Sequence, residues 1–156
     1  EVGVDAARYW FMMRRADSHL VFDIELAKAR TDENPVFYVQ MAHARMSGIL
    51  RNAGAASESA VGAIELDALA DADIDLVKTL LRFPALVEQA AAEHAPHRIT
   101  IYCEELARLT HAWYHVSRVI GEVPQVERSR LLLARAVRQV FANALAILGI
   151  AAPDRM

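Results

Sequence analysis

From Gln125 to Leu148 the chain runs for 24 residues without a glycine or a proline, with Pro124 just before the run and Gly149 just after it. Proline suits a helix start, where its missing N–H costs nothing. Glycine suits the residue past a helix end, where left-handed backbone is needed. The stretch therefore predicts one helix roughly 35 Å long at 1.5 Å per residue. That is about the width of a small domain, so the other elements have to pack along it.

The same punctuation recurs upstream. Asn34 before Pro35 reads as an N-cap and a first helical residue, opening a helix that runs to about Asn52 and ends near Gly54. On it, Phe37, Met41, Ala44 and Leu50 are expected on one face and Tyr38, Arg45 and Arg51 on another. A first helix from about Asp5 to Ala16 carries Ala6, Tyr9, Trp10 and Met13 at three-four spacing. Trp10, Phe11, Met12 and Met13 are apolar almost all round it, which implies burial against something further. Phe22, Ile24 and Leu26 read as one short helical turn. Residues 54–73 form a small, acidic connector with a loop and one weak turn. Asp73 or Asp75 is expected to cap "LVKTLLRF", Pro84 to break that pattern, and "ALVEQAAAEH" to form the next helix. A helix from His97 to about Ile120 follows, with Ile101, Leu106, Leu109, Trp113, Val116 and Ile120 as its apolar stripe. Long helices joined by short loops predict an all-α, antiparallel bundle.

The 156 residues suit one compact domain, or one with a short appendage, and can bury roughly 70% of the unfolded surface. A hydrophobic fraction of 54% is too high for a disordered chain. Cys103 is the lone cysteine, which excludes an internal disulfide or a cysteine-based zinc site and fits a reducing compartment. No apolar run approaches 18 residues and no signal-peptide pattern begins at Glu1, so a soluble, cytoplasmic protein with no membrane partner is expected. The sequence starts mid-pattern and without Met, as a piece of a longer chain would. The net charge is -3, split unevenly: residues 98–156 carry 8 arginines against 5 acids. Such a half can attract a polyanion, although a solvated helix face is the commoner meaning of the same pattern.

Little here looks like a self-contained active site. There is no glycine fingerprint for phosphate. His111 and His115 have the spacing of two zinc ligands on a helix, but Ala112 stands where a metalloprotease needs glutamate, and no third ligand is evident. Glu104 and Glu105 are adjacent, so they diverge by about 100° and cannot act as a pair. Cys103 has no cation beside it to make it reactive. What remains is "NPVFYVQMAHARM" and "HAWYH", which place Tyr38, Arg45 and Tyr114 on helices. Half-buried packing is the usual use of a helical tyrosine. Aromatic and guanidinium planes on neighbouring turns are also what unpaired bases stack on, and both readings stay open on residue type alone.

Four blocks, "VGVDAARYWFMMRRADSHLVFDIELA", "NPVFYVQMAHARM", "LLRFPALVEQAAAEHAPHRITIYCEEL" and "ARAVRQVFANALAILGI", occur in order over essentially the whole chain. They resemble the C-terminal part of arginyl-tRNA synthetases, the all-helical, DALR-type anticodon-binding domain of class Ia aminoacyl-tRNA synthetases. The family's "HIGH" and "KMSKS" signatures are absent, so the ATP-binding active site lies outside this sequence and no catalytic residue or metal ligand is expected in it. The resemblance implies residues 1–30 as a segment following the catalytic domain that touches the tRNA stem, and residues 31–156 as the anticodon-binding bundle. It assigns tRNA contact to Tyr38 and Arg45, anticodon-base contact to Tyr114 and Met156, and further contact to Gln40 and Met41. Met41 stands where the family commonly has a second tyrosine, so a hydroxyl donor is lost. His43 matches the motif as a structural residue. Arg128, Arg135 and Arg138 are candidate phosphate contacts that the sequence does not separate.

For the intact enzyme the family implies a monomer that uses ATP with Mg to activate arginine and passes the arginyl group to tRNA(Arg), with no role for DNA. The fragment itself would need no cofactor. A second class of function is a free-standing helical adaptor of the same fold that binds protein through its apolar first helix. It predicts no tRNA affinity.

Overall fold

In the computed structural model, which describes residues 2–15, 17–62 and 64–156 but not the Leu66 side chain, the order of elements is α1 (Val4–Met12), α2 (Ile24–Lys28), α3 (Pro35–Ala53), α4 (Ala55–Ser59), a 3-10 turn (Leu66–Ala68), α5 (Asp71–Leu81), α6 (Phe83–Ala92), α7 (His97–Val116) and α8 (Pro124–Ile147). No strand occurs among the described residues.

The ends marked by proline and glycine fall where the sequence puts them. Gly54 takes φ +51 after α3 and Gly149 takes φ +67 after α8. At the second, Gly149 N–H donates to Ala146 O and Ile150 N–H to Leu145 O, closing carbonyls the helix leaves open. Elsewhere tertiary contacts win. The Asn34 side chain does not cap α3; its Nδ2 donates to Ala27 O at 3.1 Å and Ala29 O at 2.8 Å, tying the end of α2 to the start of α3. The first helix stops at Met12, before the expected Ala16, which lies outside the described residues. The chain then turns so that Phe22 meets Trp10 edge-on at 5.4 Å and stacks on Phe11 at 6.0 Å. Asp73 lies inside α5, at its third residue, with Oδ2 accepting Ala70 N–H at 2.8 Å. Pro84 sits in the first turn of α6, where its missing N–H costs nothing. Helix α7 ends at Val116 rather than near Ile120: Ser117 is extended, Arg118 O accepts Arg130 NH1 at 2.7 Å, and Ile120 O accepts Arg118 Nε at 3.1 Å.

Pairing across the helices is antiparallel. Thr79 O accepts the Tyr102 hydroxyl while Asp73 accepts Trp113 Nε1, so α5 and α7 run in opposite directions. The pairs Arg82–Glu105 and Arg98–Glu93 do the same for α6 and α7. The core is centred on Val39 and Met46 of α3, Leu106 and Trp113 of α7, and Leu133, Val137, Phe141 and Leu145 of α8, all fully or almost fully buried. Two expected stripes are displaced. Helix α7 buries Ile99, Tyr102, Cys103, Leu106, Ala107, Thr110 and Trp113, leaving Ile101, Val116 and Ile120 exposed. Helix α3 buries Val36, Val39, Ala42, Met46 and Leu50, so Phe37, Met41 and Ala44 are only half-buried. Residues 4–12 belong to the same core: Tyr9 is fully buried and its hydroxyl donates to Thr100 O (3.2 Å) and Glu104 Oε1 (3.3 Å).

Candidate nucleic-acid interface

Because Val39, Ala42 and Met46 fix the buried side of α3, its remaining positions point to α7 and to the C-terminal tail. On the α7 side lie Tyr38 and Arg45, two turns apart. The Tyr38 ring sits 4.4 Å from the His111 ring, tilted by 48°. His111 Nδ1 is 2.6 Å from Arg45 NH1, and His111 Nε2 is 3.0 Å from Tyr38 O. The Arg45 guanidinium then lies 5.2 Å from the centre of the Tyr114 ring, a cation–π distance. Tyr114 is 43% exposed, so it offers open ring surface next to a fixed positive charge. Partial burial pushes the Tyr38 phenol up from its ordinary value, so its hydroxyl stays a donor at neutral pH.

On the other side, Gln40, His43, Ser47 and Arg51 follow three-four-four spacing and hold the tail. Gln40 Nε2 donates to Ala151 O (2.9 Å) and to Asp5 Oδ2 (3.0 Å). His43 Nδ1 lies 2.9 Å from Pro153 O and must donate to it, since a carbonyl only accepts. Ser47 Oγ donates to Asp154 Oδ1 at 2.7 Å and Arg51 NH1 to Asp154 O at 2.8 Å. The Ser47 hydrogen bond is the main reason the Asp154 carboxyl lies below its usual range, helped by the positive charges of His43, Arg138 and Arg51. The tail so held carries Met156, 55% exposed, into a cleft of about 340 Å³ lined by Met41, Ala44 and Arg45. Both amide hydrogens of Gln40 are engaged within the protein; its placement is that of a tail anchor.

The arginines of α8 separate clearly. Arg128 pairs with Glu65, Arg130 with Asp73, and Arg135 donates to the carbonyls of Ser57 and Ala60. Arg138 makes no hydrogen bond or ion pair among the described residues. It lines a cleft of about 510 Å³ with Ser47, Arg51, Asp154 and Arg155. Arg51, Asp154 and Arg155 also border the Met41–Met156 cleft, so the two clefts adjoin at these residues.

Sequence reasoning missed the part played by His111 and the anchoring of the tail. Both ring nitrogens of His111 are taken by Arg45 and Tyr38, which leaves none for a metal. The signal was present in the sequence: Tyr38, Arg45 and His111 are each polar groups next to apolar positions. Only the approach of α3 to α7 shows that they meet. Glu104 and Glu105 diverge as expected, one taking the Tyr9 hydroxyl and the other Arg82. Cys103 is fully buried and its thiol is pushed up to about 12 by that burial and then by Glu104. The arrangement offers an aromatic face, two methionines and clustered guanidinium groups. It suits a planar, unpaired base and the phosphates that flank it.

Comparison with known proteins agrees with this chemistry. A family model described as the DALR anticodon binding domain matches residues 39–156. A protein of Aromatoleum aromaticum named arginine–tRNA ligase is 45% identical over all of this chain, which covers 27% of that protein. A protein of the same name from Syntrophotalea carbinolica is 47% identical over all of this chain and 29% of its own length. The solved structure of Thermus thermophilus arginyl-tRNA synthetase superposes with a TM-score of 0.84 at 30% identity, covering 97% of this chain and 26% of that one. The chain thus spans under a third of the length of these three proteins.

Proposed function

We infer the function from one premise: the chain belongs to the DALR anticodon binding domain family. Its role is that of the anticodon-reading part of an arginine–tRNA ligase. The whole enzyme, working in the cytoplasm with ATP and Mg, attaches arginine to tRNA(Arg). This part supplies recognition and no chemistry of its own. Tyr114 stacks an unpaired base of the anticodon, Arg45 supplies charge at its edge, Met41 and Met156 wall the adjoining cleft, and Tyr38 contacts the tRNA beside His111. Gln40 acts through the tail. Arg51, Arg138 and Arg155 line the path of the flanking phosphates. Residues 1–30 carry the junction to the catalytic domain, residues 31–156 the anticodon bundle.

The observation that carries this reading is the Arg45 guanidinium, held by His111 over the Tyr114 ring at the mouth of the Met41–Met156 cleft. Anchoring the anticodon there lets the acceptor end reach a distant active site, and cognate binding energy can promote closure of that site. The test is the affinity of this chain for arginine tRNA and for the same tRNA with its middle anticodon base changed, at two salt concentrations. A several-fold loss on changing the base supports the reading. Equal, salt-sensitive binding leaves only a charged surface and refutes base recognition.

One observation favours the protein-binding alternative. Phe11 is 66% exposed beside Phe22, and Val21 and Ile24 are exposed in the following segment. The adaptor reading predicts a protein partner on that face and no tRNA affinity, so the same titration separates the two.

A further inference from the structure

His111 is 6% exposed and sits between α3 and α7, yet base stacking and phosphate contact leave it without a task. Its contacts fix its state. A guanidinium only donates, so Nδ1, 2.6 Å from Arg45 NH1, must be the acceptor. The ring proton is then on Nε2, which donates to Tyr38 O at 3.0 Å. The neutral Nε2–H tautomer satisfies both partners, and the Tyr38 ring covers the imidazole. A protonated ring would aim an Nδ1–H at an Arg45 N–H across 2.6 Å, and that contact cannot survive.

We propose that neutral His111 is the positioning residue of the anticodon site, fixing Arg45 against Tyr114, and that its protonation releases Arg45 and weakens base recognition. The proposal rests on the tRNA-binding reading above. The groups that face the ring act in both directions. From α3, Arg45 opposes a second positive charge. From α7, His115 opposes it too, and Arg108 lies near Tyr38. From the segment before α3, Asp32 favours protonation. Burial is the largest influence and holds the imidazole below its ordinary value, with the Tyr38 carbonyl pulling the other way.

The sign distinguishes this role from a simpler one. If His111 met RNA phosphate directly, acidification would add a cation and strengthen binding. As a positioning residue it must be neutral, so discrimination between bases falls only in acid beneath the ordinary histidine range, because burial lowers the imidazole.

Three variants test it. His111→Asn puts a carbonyl oxygen near the place of Nδ1, can accept from Arg45 and does not titrate. His111→Leu keeps the volume and removes the acceptor. Arg45→Met removes the cation. Circular dichroism confirms that each chain is helical. Affinities are measured for arginine tRNA and its middle-base variant at pH 7.5 and at an acid pH below the imidazole midpoint read by NMR. The native chain is expected to prefer the cognate base several-fold at pH 7.5 and to lose most of that preference at the acid pH. His111→Asn should keep it at both values, and His111→Leu should resemble Arg45→Met at both. Discrimination that rises in acid, or that His111→Leu leaves intact, overturns the proposal.

A nitrogen-detected NMR titration of the unliganded chain separates the two readings. It should show the Nε2–H tautomer, and a midpoint that moves up in Arg45→Met. The opposite tautomer or an unmoved midpoint overturns the positioning pair whatever the RNA result. If that signature is present but no tRNA binds, the recognition reading fails and the proposal falls with it.

Discussion

Replacing Asp73 by alanine should be among the most damaging single changes in this bundle. The carboxylate is 0% exposed and serves three elements at once. Oδ1 accepts Trp113 Nε1 of α7 at 2.5 Å, Oδ2 accepts Ala70 N–H ahead of α5 at 2.8 Å, and Arg130 of α8 donates to both oxygens at 3.2–3.3 Å. In the alanine variant Trp113 keeps a buried N–H without a partner, and Arg130 keeps only the Arg118 carbonyl. An orphaned buried donor costs about 1–3 kcal/mol, and removing one partner of a buried ion pair costs about 3–5 kcal/mol. These overlap, so about 3–5 kcal/mol is expected in total. A chain of this size has roughly 5–15 kcal/mol in all. At about 2–4 °C per kcal/mol, the melting midpoint should fall by roughly 6–20 °C. Urea unfolding followed by circular dichroism reads it directly, as a lower midpoint with an unchanged slope. Asp73→Asn keeps one acceptor oxygen and should lose less. A loss below about 1 kcal/mol in Asp73→Ala would refute the account, because water or rearranged side chains would then be replacing all three contacts.

Four further outcomes follow. Tyr114→Ala should remove about 1–3 kcal/mol from binding of arginine tRNA, the cost of one stacked base, and little from the variant with a changed middle base; a titration of both RNAs checks it. Arg138→Ala should weaken all tRNAs alike and reduce the slope of log affinity against log salt by about 1. Cys103, buried and pushed up to about 12, should resist thiol reagents at pH 8 until the chain is unfolded. Asp154 has a lowered folded value, so its contribution to tail docking is present above its ordinary value and lost as pH falls through the lower one. Ser47→Ala removes the main cause of that lowering, and the native difference should shrink in a carboxyl NMR titration.

Local signals made the helix ends legible. Pro35, Gly54, Pro124 and Gly149 need nothing beyond their own backbone preferences, and each sits where those preferences put it. Faces were harder. Helix α7 has apolar residues around most of its circumference and also buries Thr100, Thr110 and His111, so hydrophobic spacing alone could not choose between Ile101 and Ile99. That choice was made by α3, α5 and α6, which pack most closely against α7. The end of α7 moved because Ser117 is extended, and the carbonyls beyond it are taken by Arg130 and by Arg118 itself. At the site, the resemblance offered candidate residues, and their protein contacts separate them into different roles. Gln40 has the amide of a base-reading residue, yet Asp5 and Ala151 lie within its reach and take both hydrogens.

That division of labour follows from helix geometry. With Val39, Ala42 and Met46 committed to the core, a residue three or four along from Gln40 stays on the tail side, and so does the next. Gln40, His43, Ser47 and Arg51 can therefore act as a single row of anchors. Tyr38 and Arg45 stay on the α7 side for the same reason. Met41, half-buried between the two rows, is where the tail and the guanidinium meet. One helix thus fixes both walls of the pocket against a single rigid backbone. A change in the anchoring row should therefore move Met156 without disturbing Arg45, while a change at His111 should do the reverse. Ser47→Ala and His111→Leu should then add in their effects on tRNA affinity to within about 0.5 kcal/mol, as independent sites do. Strong coupling in that double-mutant cycle would show instead that the tail and the α7 contact form one cooperative unit, and that α3 is not the rigid divider its core packing makes it.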